Sequence, residues 1–235
     1  MSTTLPGLLL HHAATRPDDV ALRHKRLGRW QEWTWEEYAR QTARVACGLL
    51  ELGVRPGDRV AIHAENRPEW LLADLAAQGI GAISVGVYPT SPSAEVEYLL
   101  GHSESVVLVA EDEEQLDKTL AVRDRLPALK AIVVIDPRGV RQIDGETILT
   151  WEQLELLGER RPQSEFAERV ERLRPEDTAI VVYTSGTTGP PKGAMITHAN
   201  LHAAGAAYRR VYETTPRDEV LSYLPLCHIA ERLIS

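Results

Sequence analysis

The chain reads as an α/β protein built on mostly parallel sheet covered by helices, and three features say so. Short apolar runs recur at 59–64, 82–87, 106–110, 131–135 and 179–183. They are rich in Val and Ile and lack strict in/out alternation, as strands buried on both faces do. Helical patterns separate them, which gives the strand–helix rhythm of crossover connections.

Along the chain, Thr34 and Glu37 form a capping box ahead of Tyr38, Val45, Leu49 and Leu52 at helical spacing. Gly53, with Pro56 beyond, closes that helix. Pro68 stands where a first helical turn tolerates it, before Leu71, Leu72, Leu75 and Ala76. Ser93 is expected to cap a helix through Leu100, and the acidic stretch 111–114 suits the positive end of the helix after it. Residues 137–145 and 158–175 read as surface excursions, the second with an exposed Glu/Arg helix. The run 179–183 is a buried strand whose carboxyl end faces the ligand side of such a sheet. Thr197 is expected to cap a helix from His198 towards Tyr212, and a strand at 219–224 to run into Pro225 and a turn presenting Cys227 and His228.

Composition narrows the class. A length of 235 residues corresponds to about one and a half domains. Hydrophobic content of 43% and charged content of 26% are ordinary for a globular protein. Acidic residues outnumber basic ones 34 to 26, a formal charge of −8, so the overall field repels nucleic acid and anionic membranes. Any phosphate binding must therefore be local. Cys47 and Cys227 are far apart in sequence and make no disulfide framework. The amino terminus has a short leucine run without a leading basic cluster, so no signal peptide or spanning helix is expected. A reducing cytoplasm is the default, with peripheral membrane contact left open.

One loop concentrates chemistry. TSGTTGPPKG, residues 184–193, combines hydroxyls, flexible backbone and one cation. Gly186 and Gly189 can take backbone angles closed to other residues, letting amides curl around an anion. Thr184, Ser185, Thr187 and Thr188 add hydroxyls that donate to phosphate oxygens or ligate magnesium. Lys192 adds a positive charge; a carboxylate elsewhere is its alternative partner. The nucleotide loop of P-loop NTPases has a glycine, four residues, then Gly-Lys and Ser or Thr. Counted from Gly186, Pro191 and Gly193 break that pattern. Pro190 and Pro191 lack N–H groups and stiffen the segment carrying Lys192.

The stretch YTSGTTGPPKGAMITHAN, 183–200, resembles the phosphate-loop signature of the AMP-forming acyl-adenylate superfamily, which contains acyl-CoA synthetases, luciferases and peptide adenylation domains. SYLPLCHIAER, 222–232, resembles the next motif in the form typical of long-chain fatty acyl-CoA synthetases. The Trp33-Thr34-Trp35 stretch, GVRPGDRVAI at 53–62 and ENRPEW at 65–70 resemble the amino-terminal region of that family. The resemblance covers essentially the whole chain.

It implies that residues 1–235 are an incomplete AMP-binding amino-terminal domain. The family's adenine and magnesium motif, its ribose-binding aspartate and its carboxy-terminal domain with a catalytic lysine are not found in the sequence. The implied reaction activates a long-chain fatty acid with ATP to acyl-AMP, which CoA converts to acyl-CoA. ATP, magnesium and CoA are the implied cofactors. Lys192 is the implied catalytic cation and Thr184 a magnesium ligand. His228 is implied as a wall of the acyl pocket or a contact near the reacting carboxylate, since an ionised carboxylate needs no general base; a satisfied core histidine is the alternative. The isolated chain is expected to be inactive, with apolar faces left open. An aryl-CoA ligase, an amino-acid adenylation domain and a non-catalytic nucleotide-binding protein remain as other readings. Cys227 is read as packing, Glu231 and Arg232 as an ion pair, Trp30, Trp33, Trp35 and Trp70 as packing residues. His11, His12, His63 and His102 have no constellation around them in the sequence.

Overall fold

The computed structural model describes residues 3–184 and 189–234. Helix α1 (Leu5–Thr15) leads into a separate antiparallel hairpin of β1 (Val20–Arg26) and β2 (Arg29–Thr34). Helix α2 (Trp35–Glu51) begins with both halves of the Thr34/Glu37 capping box formed, and Gly53 ends it with a φ of 80°. Strands and helices then alternate through β3 (Arg59–His63), α3 (Pro68–Gly79), β4 (Ile83–Val87), α4 (Ser93–Ser103), β5 (Ser105–Ala110), α5 (Glu113–Leu120) and β6 (Ala131–Val134). The remainder adds β7 (Ile148–Thr150), α6 (Trp151–Gly158), α7 (Ser164–Val170), β8 (Thr178–Thr184), β9 (Lys192–Thr197), α8 (His198–Tyr212) and α9 (Ile229–Ile234).

Seven strands form one sheet in the order β7-β6-β5-β3-β4-β8-β9. Every pairing is parallel except β8 with β9. Alternate residues of each strand serve opposite cores. Val60, Ile62, Val107, Val109 and Val133 join α1, α2, α3, α6 and α7 on one face. Ala61, Val85, Val87, Leu108 and Ile132 join α4 and α5 on the other. Each Val, Leu or Ile among these taken fully from water contributes about 2 kcal/mol, so both faces of the sheet demand cover. A smaller cluster of Ala179, Ile180, Val182 and Leu201 seats α8 on β8. Thr197 caps α8, with Asn200 returning the bond as a capping box.

Several expectations change. Ser93 is the first residue of α4 and Pro92 occupies the cap with extended backbone, so no side chain caps the helix. The 158–175 excursion contains α7, where Glu165 pairs with Arg169 on the helix and with Arg161 ahead of it, while Phe166 is buried. Residues 219–224 are not a strand. No described strand pairs with them; the Asn66 side chain instead takes up Ser222 Oγ at 2.9 Å and the Leu224 carbonyl at 2.7 Å. Val220, Leu221 and Tyr223 are left exposed. Trp70 is fully buried and Trp30 lies at the surface, as packing residues of both kinds.

Candidate nucleotide-phosphate site

The carboxyl end of β8 and the start of β9 are the two limbs of the hydroxyl-rich loop. Thr184 and Lys192 are direct partners in the antiparallel register, so the loop leaves and returns at one point of the sheet edge. Both side chains are exposed there. Gly189 has a φ of 94°, a conformation that a side chain would strain. Ser185, Gly186, Thr187 and Thr188, the other expected cradle residues, lie outside the described residues.

Magnesium keeps much of its shell as water and phosphate oxygen and takes few protein ligands. An exposed threonine hydroxyl at the end of a strand, opposite a lysine, fits that demand. No group of three or more His, Cys, Asp or Glu among the described residues could hold a metal ion. The Thr184 hydroxyl could contribute one oxygen to an ion that a nucleotide's phosphates also hold.

The second motif is fastened at three points, on β4, on the turn after β3 and on α3. Gly86 gives room for the turn before α9: a Cβ there would lie 2.8 Å from Cys227 Cα. Asn66 Oδ1 accepts from the Leu226 amide at 2.9 Å while its Nδ2 holds the Leu224 carbonyl. Arg232 reaches Asp74 of α3 in a buried ion pair, hydrogen-bonds Ser84 Oγ at 2.7 Å and lies over the Trp70 ring. The ion pair of Arg232 is made with Asp74 across the core and not, as expected, with its chain neighbour Glu231, although both carboxylates are buried. Glu231 Oε2 instead accepts from the Leu224 amide at 3.1 Å.

His228 emerges from this turn with an exposed side chain, so it is not a core histidine. Its Nδ1 accepts from the Ala230 amide at 3.2 Å and its own amide donates to the Pro225 carbonyl at 2.8 Å. His228 and Lys192 stand on separate elements, and no hydrogen bond joins them among the described residues. Cys227 beside it is 5% exposed, and burial pushes its thiol up to about 12, which suits packing and not nucleophilic chemistry. Cys47 is likewise a buried free thiol.

Asn66 and Gly86 are the site-building residues that sequence reasoning passed over. ENRPEW carried Asn66 as part of a resemblance, but nothing in its spacing foretold a contact 160 residues away. His63 and His102 also gain surroundings: His63 is buried at the end of β3, and His102 Nδ1 lies 2.8 Å from Tyr183 Oη.

Comparison with known proteins agrees with this architecture. The chain is 35% identical over 221 residues to the long-chain-fatty-acid–CoA ligase ACSBG2 of Xenopus laevis, covering 92% of this chain and 30% of the relative. It is 34% identical over 231 residues to the long-chain-fatty-acid–CoA ligase FadD15 of Mycobacterium tuberculosis, covering 97% of this chain and 37% of the relative. Among solved structures, the acetoacetyl-CoA synthetase of Streptomyces lividans superposes with a TM-score of 0.83 at 28% identity, over 98% of this chain and 36% of that one. The anthranilate CoA ligase AuaEII, solved with anthranoyl-AMP, gives 0.71 at 25% identity, over 88% and 38%. The chain thus spans about a third of the length of the curated relatives it matches. No described helix is long and apolar enough to cross a membrane. With residues 9–235 matched by the family described as AMP-binding enzyme, the chain belongs to the AMP-binding enzymes.

Proposed function

We propose that this chain supplies the phosphate-gripping part of a ligase that adenylates a long-chain fatty acid and passes the acyl group to CoA. The observation that carries the reading is the register pairing of Thr184 with Lys192 at the mouth of the loop. In the first step a carboxylate oxygen attacks the α-phosphorus of ATP and the bond to the β-phosphate bridging oxygen breaks, releasing pyrophosphate. In the second the CoA thiol, losing its proton, displaces AMP from the acyl carbon.

Lys192 would hold the terminal phosphates and meet the negative charge that grows on pyrophosphate as it leaves. The hydroxyls and amides of 184–189 would share that load. Thr184 would contribute an oxygen to magnesium, which when bound neutralises phosphate charge. Because the chain's net charge is −8, this attraction has to be generated at the loop itself. His228, exposed on a turn fixed against β4, would lie along the path of the reacting carboxylate. The names of the relatives favour a long-chain fatty acid. The two free thiols support a reducing, cytoplasmic setting as part of this reading, with the membrane surface a source of substrate.

Pyrophosphate exchange into ATP tests the reading in an enzyme carrying this chain together with the further length its relatives have. With palmitate as substrate, Lys192→Ala is expected to lower kcat/KM about 10²-fold, and Thr184→Ala to weaken the magnesium dependence. Undiminished exchange in both variants would overturn it. A preference for benzoate-like or amino acids over palmitate would move the assignment to another carboxylate. The 235-residue chain alone is expected to release no AMP from ATP, palmitate and CoA.

A further inference from the structure

Helix α4 touches both limbs of the loop, and it does so at the two residues that immediately precede Thr184 and Lys192. Tyr98 Oη donates to the Pro191 carbonyl at 2.9 Å. That carbonyl belongs to the planar peptide unit whose nitrogen is that of Lys192, and the proline ring already fixes φ on its other side. One hydrogen bond from Tyr98 therefore sets the orientation of the peptide that carries the lysine. One helical turn further on, His102 Nδ1 lies 2.8 Å from Tyr183 Oη, and the Leu99 carbonyl takes a longer bond from the same hydroxyl at 3.4 Å. Tyr98 and His102 stack at 5.4 Å with their rings 24° apart, and both meet the Tyr183 ring edge-on at 74° and 75°. Burial pushes the Tyr183 phenol up, so it stays protonated.

We infer that Tyr98 and His102 are positioning residues for the phosphate loop, a clamp on α4 that holds its outgoing and returning limbs at a fixed spacing so that Lys192 is aimed before nucleotide arrives. This rests on the phosphate-binding reading of the loop. A loop this rich in glycine and hydroxyls would otherwise lose conformational entropy on every binding event. Holding its ends in advance lowers that loss. The clamp is carried by α4, which is anchored on the sheet through Val96, Leu99 and Leu100, so the fixed point is rigid.

The test compares the wild-type chain with Tyr98→Phe, His102→Ala, His102→Gln and Lys192→Ala. Tyr98→Phe keeps the ring and its stacking and removes only the hydroxyl. His102→Gln keeps a polar partner for Tyr183. Amide hydrogen exchange without ligand is expected to speed up about five- to tenfold in the peptide 184–193 for Tyr98→Phe and His102→Ala, to return towards wild type in His102→Gln, and to stay unchanged in β4 and α4. Titration with magnesium ATP followed by phosphorus NMR, in the enzyme carrying this chain together with the further length its relatives have, is expected to show weaker binding and a smaller γ-phosphate shift in Tyr98→Phe. Unchanged exchange in 184–193, no rescue by glutamine, or faster exchange spread through α4 would overturn the clamp. If Lys192→Ala and wild type bind ATP equally, or neither binds it, the phosphate reading fails while the exchange data still judge the clamp.

Discussion

Asn66 holds Leu226 by the amide: its Oδ1 accepts from Leu226 N at 2.9 Å, and its Nδ2 donates to the Leu224 carbonyl two residues earlier at 2.7 Å. One carboxamide thereby ties the turn at the end of β3 to a segment 160 residues later, doing for 222–226 what a neighbouring strand would otherwise do. Removing it leaves two backbone groups without their protein partners. Asn66→Ala is expected to cost about 1–3 kcal/mol in urea unfolding. Asn66→Asp, which keeps the acceptor for Leu226 and loses the donor to Leu224, should fall between. Equal stability of all three proteins would show that the contact is not formed in solution.

Gly86 decides whether the turn can lie on β4. Adding a methyl group there puts it 2.8 Å from Cys227 Cα and Cβ, backbone that cannot swing away. Gly86→Ala is expected to destabilise by about 1–3 kcal/mol. It should also expose the thiol of Cys227, which burial otherwise keeps protonated and unreactive. Labelling with a thiol reagent at neutral pH checks this: slow modification in the wild-type chain and rapid modification of one cysteine in the variant.

Arg232 and Asp74 face each other with side-chain exposures of 3% and 5%. Removing one partner strands a buried charge, and Arg232 Nε and Nη1 already lack hydrogen-bond partners. Asp74→Ala is therefore expected to cost about 3–5 kcal/mol, whereas Asp74→Leu combined with Arg232→Met recovers most of it. Denaturant titration of the two proteins separates these outcomes. A double variant as unstable as the single one would mean that the pair itself, and not the stranded charge, holds α9 down.

His63 makes stability depend on pH. Burial, and then the positive charge of Lys118, lowers its pKa from 6.5 to about 4. The Pro89 and Tyr88 carbonyls pull the other way, yet neither ring nitrogen has a partner at hydrogen-bonding geometry. The unfolded chain takes up a proton as pH falls below 6.5, and the folded chain resists until about 4. Unfolding thus gains protons across this window, so the contribution is complete above the unfolded value and is lost as pH falls towards the folded one. It amounts to about 3 kcal/mol. His63→Asn should flatten the fall in unfolding free energy across that window. Parallel curves for the two proteins would show that the imidazole ionises freely in the fold.

The sequence by itself determined the α/β class, the central strands at 59–64, 82–87, 106–110, 131–135 and 179–183, the capped helices after Thr34 and Thr197, and the position of the loop on which the proposed phosphate grip rests. These are local: a capping box, a buried Val/Ile run or a Gly/Thr/Pro loop declares itself within a dozen residues. The β1–β2 hairpin stayed hidden because its strands are largely exposed and carry no buried apolar run, and β9 because its partner β8, not its own pattern, makes it a strand. Only the tertiary structure decided that 219–224 rests on Asn66 instead of joining the sheet, that Arg232 answers Asp74, and that Tyr98 meets Pro191. Each joins residues about 90 to 160 positions apart. Such pairings depend on which strand lies beside which, and that order is set by covering both faces of one sheet at once, a condition no short stretch of sequence contains.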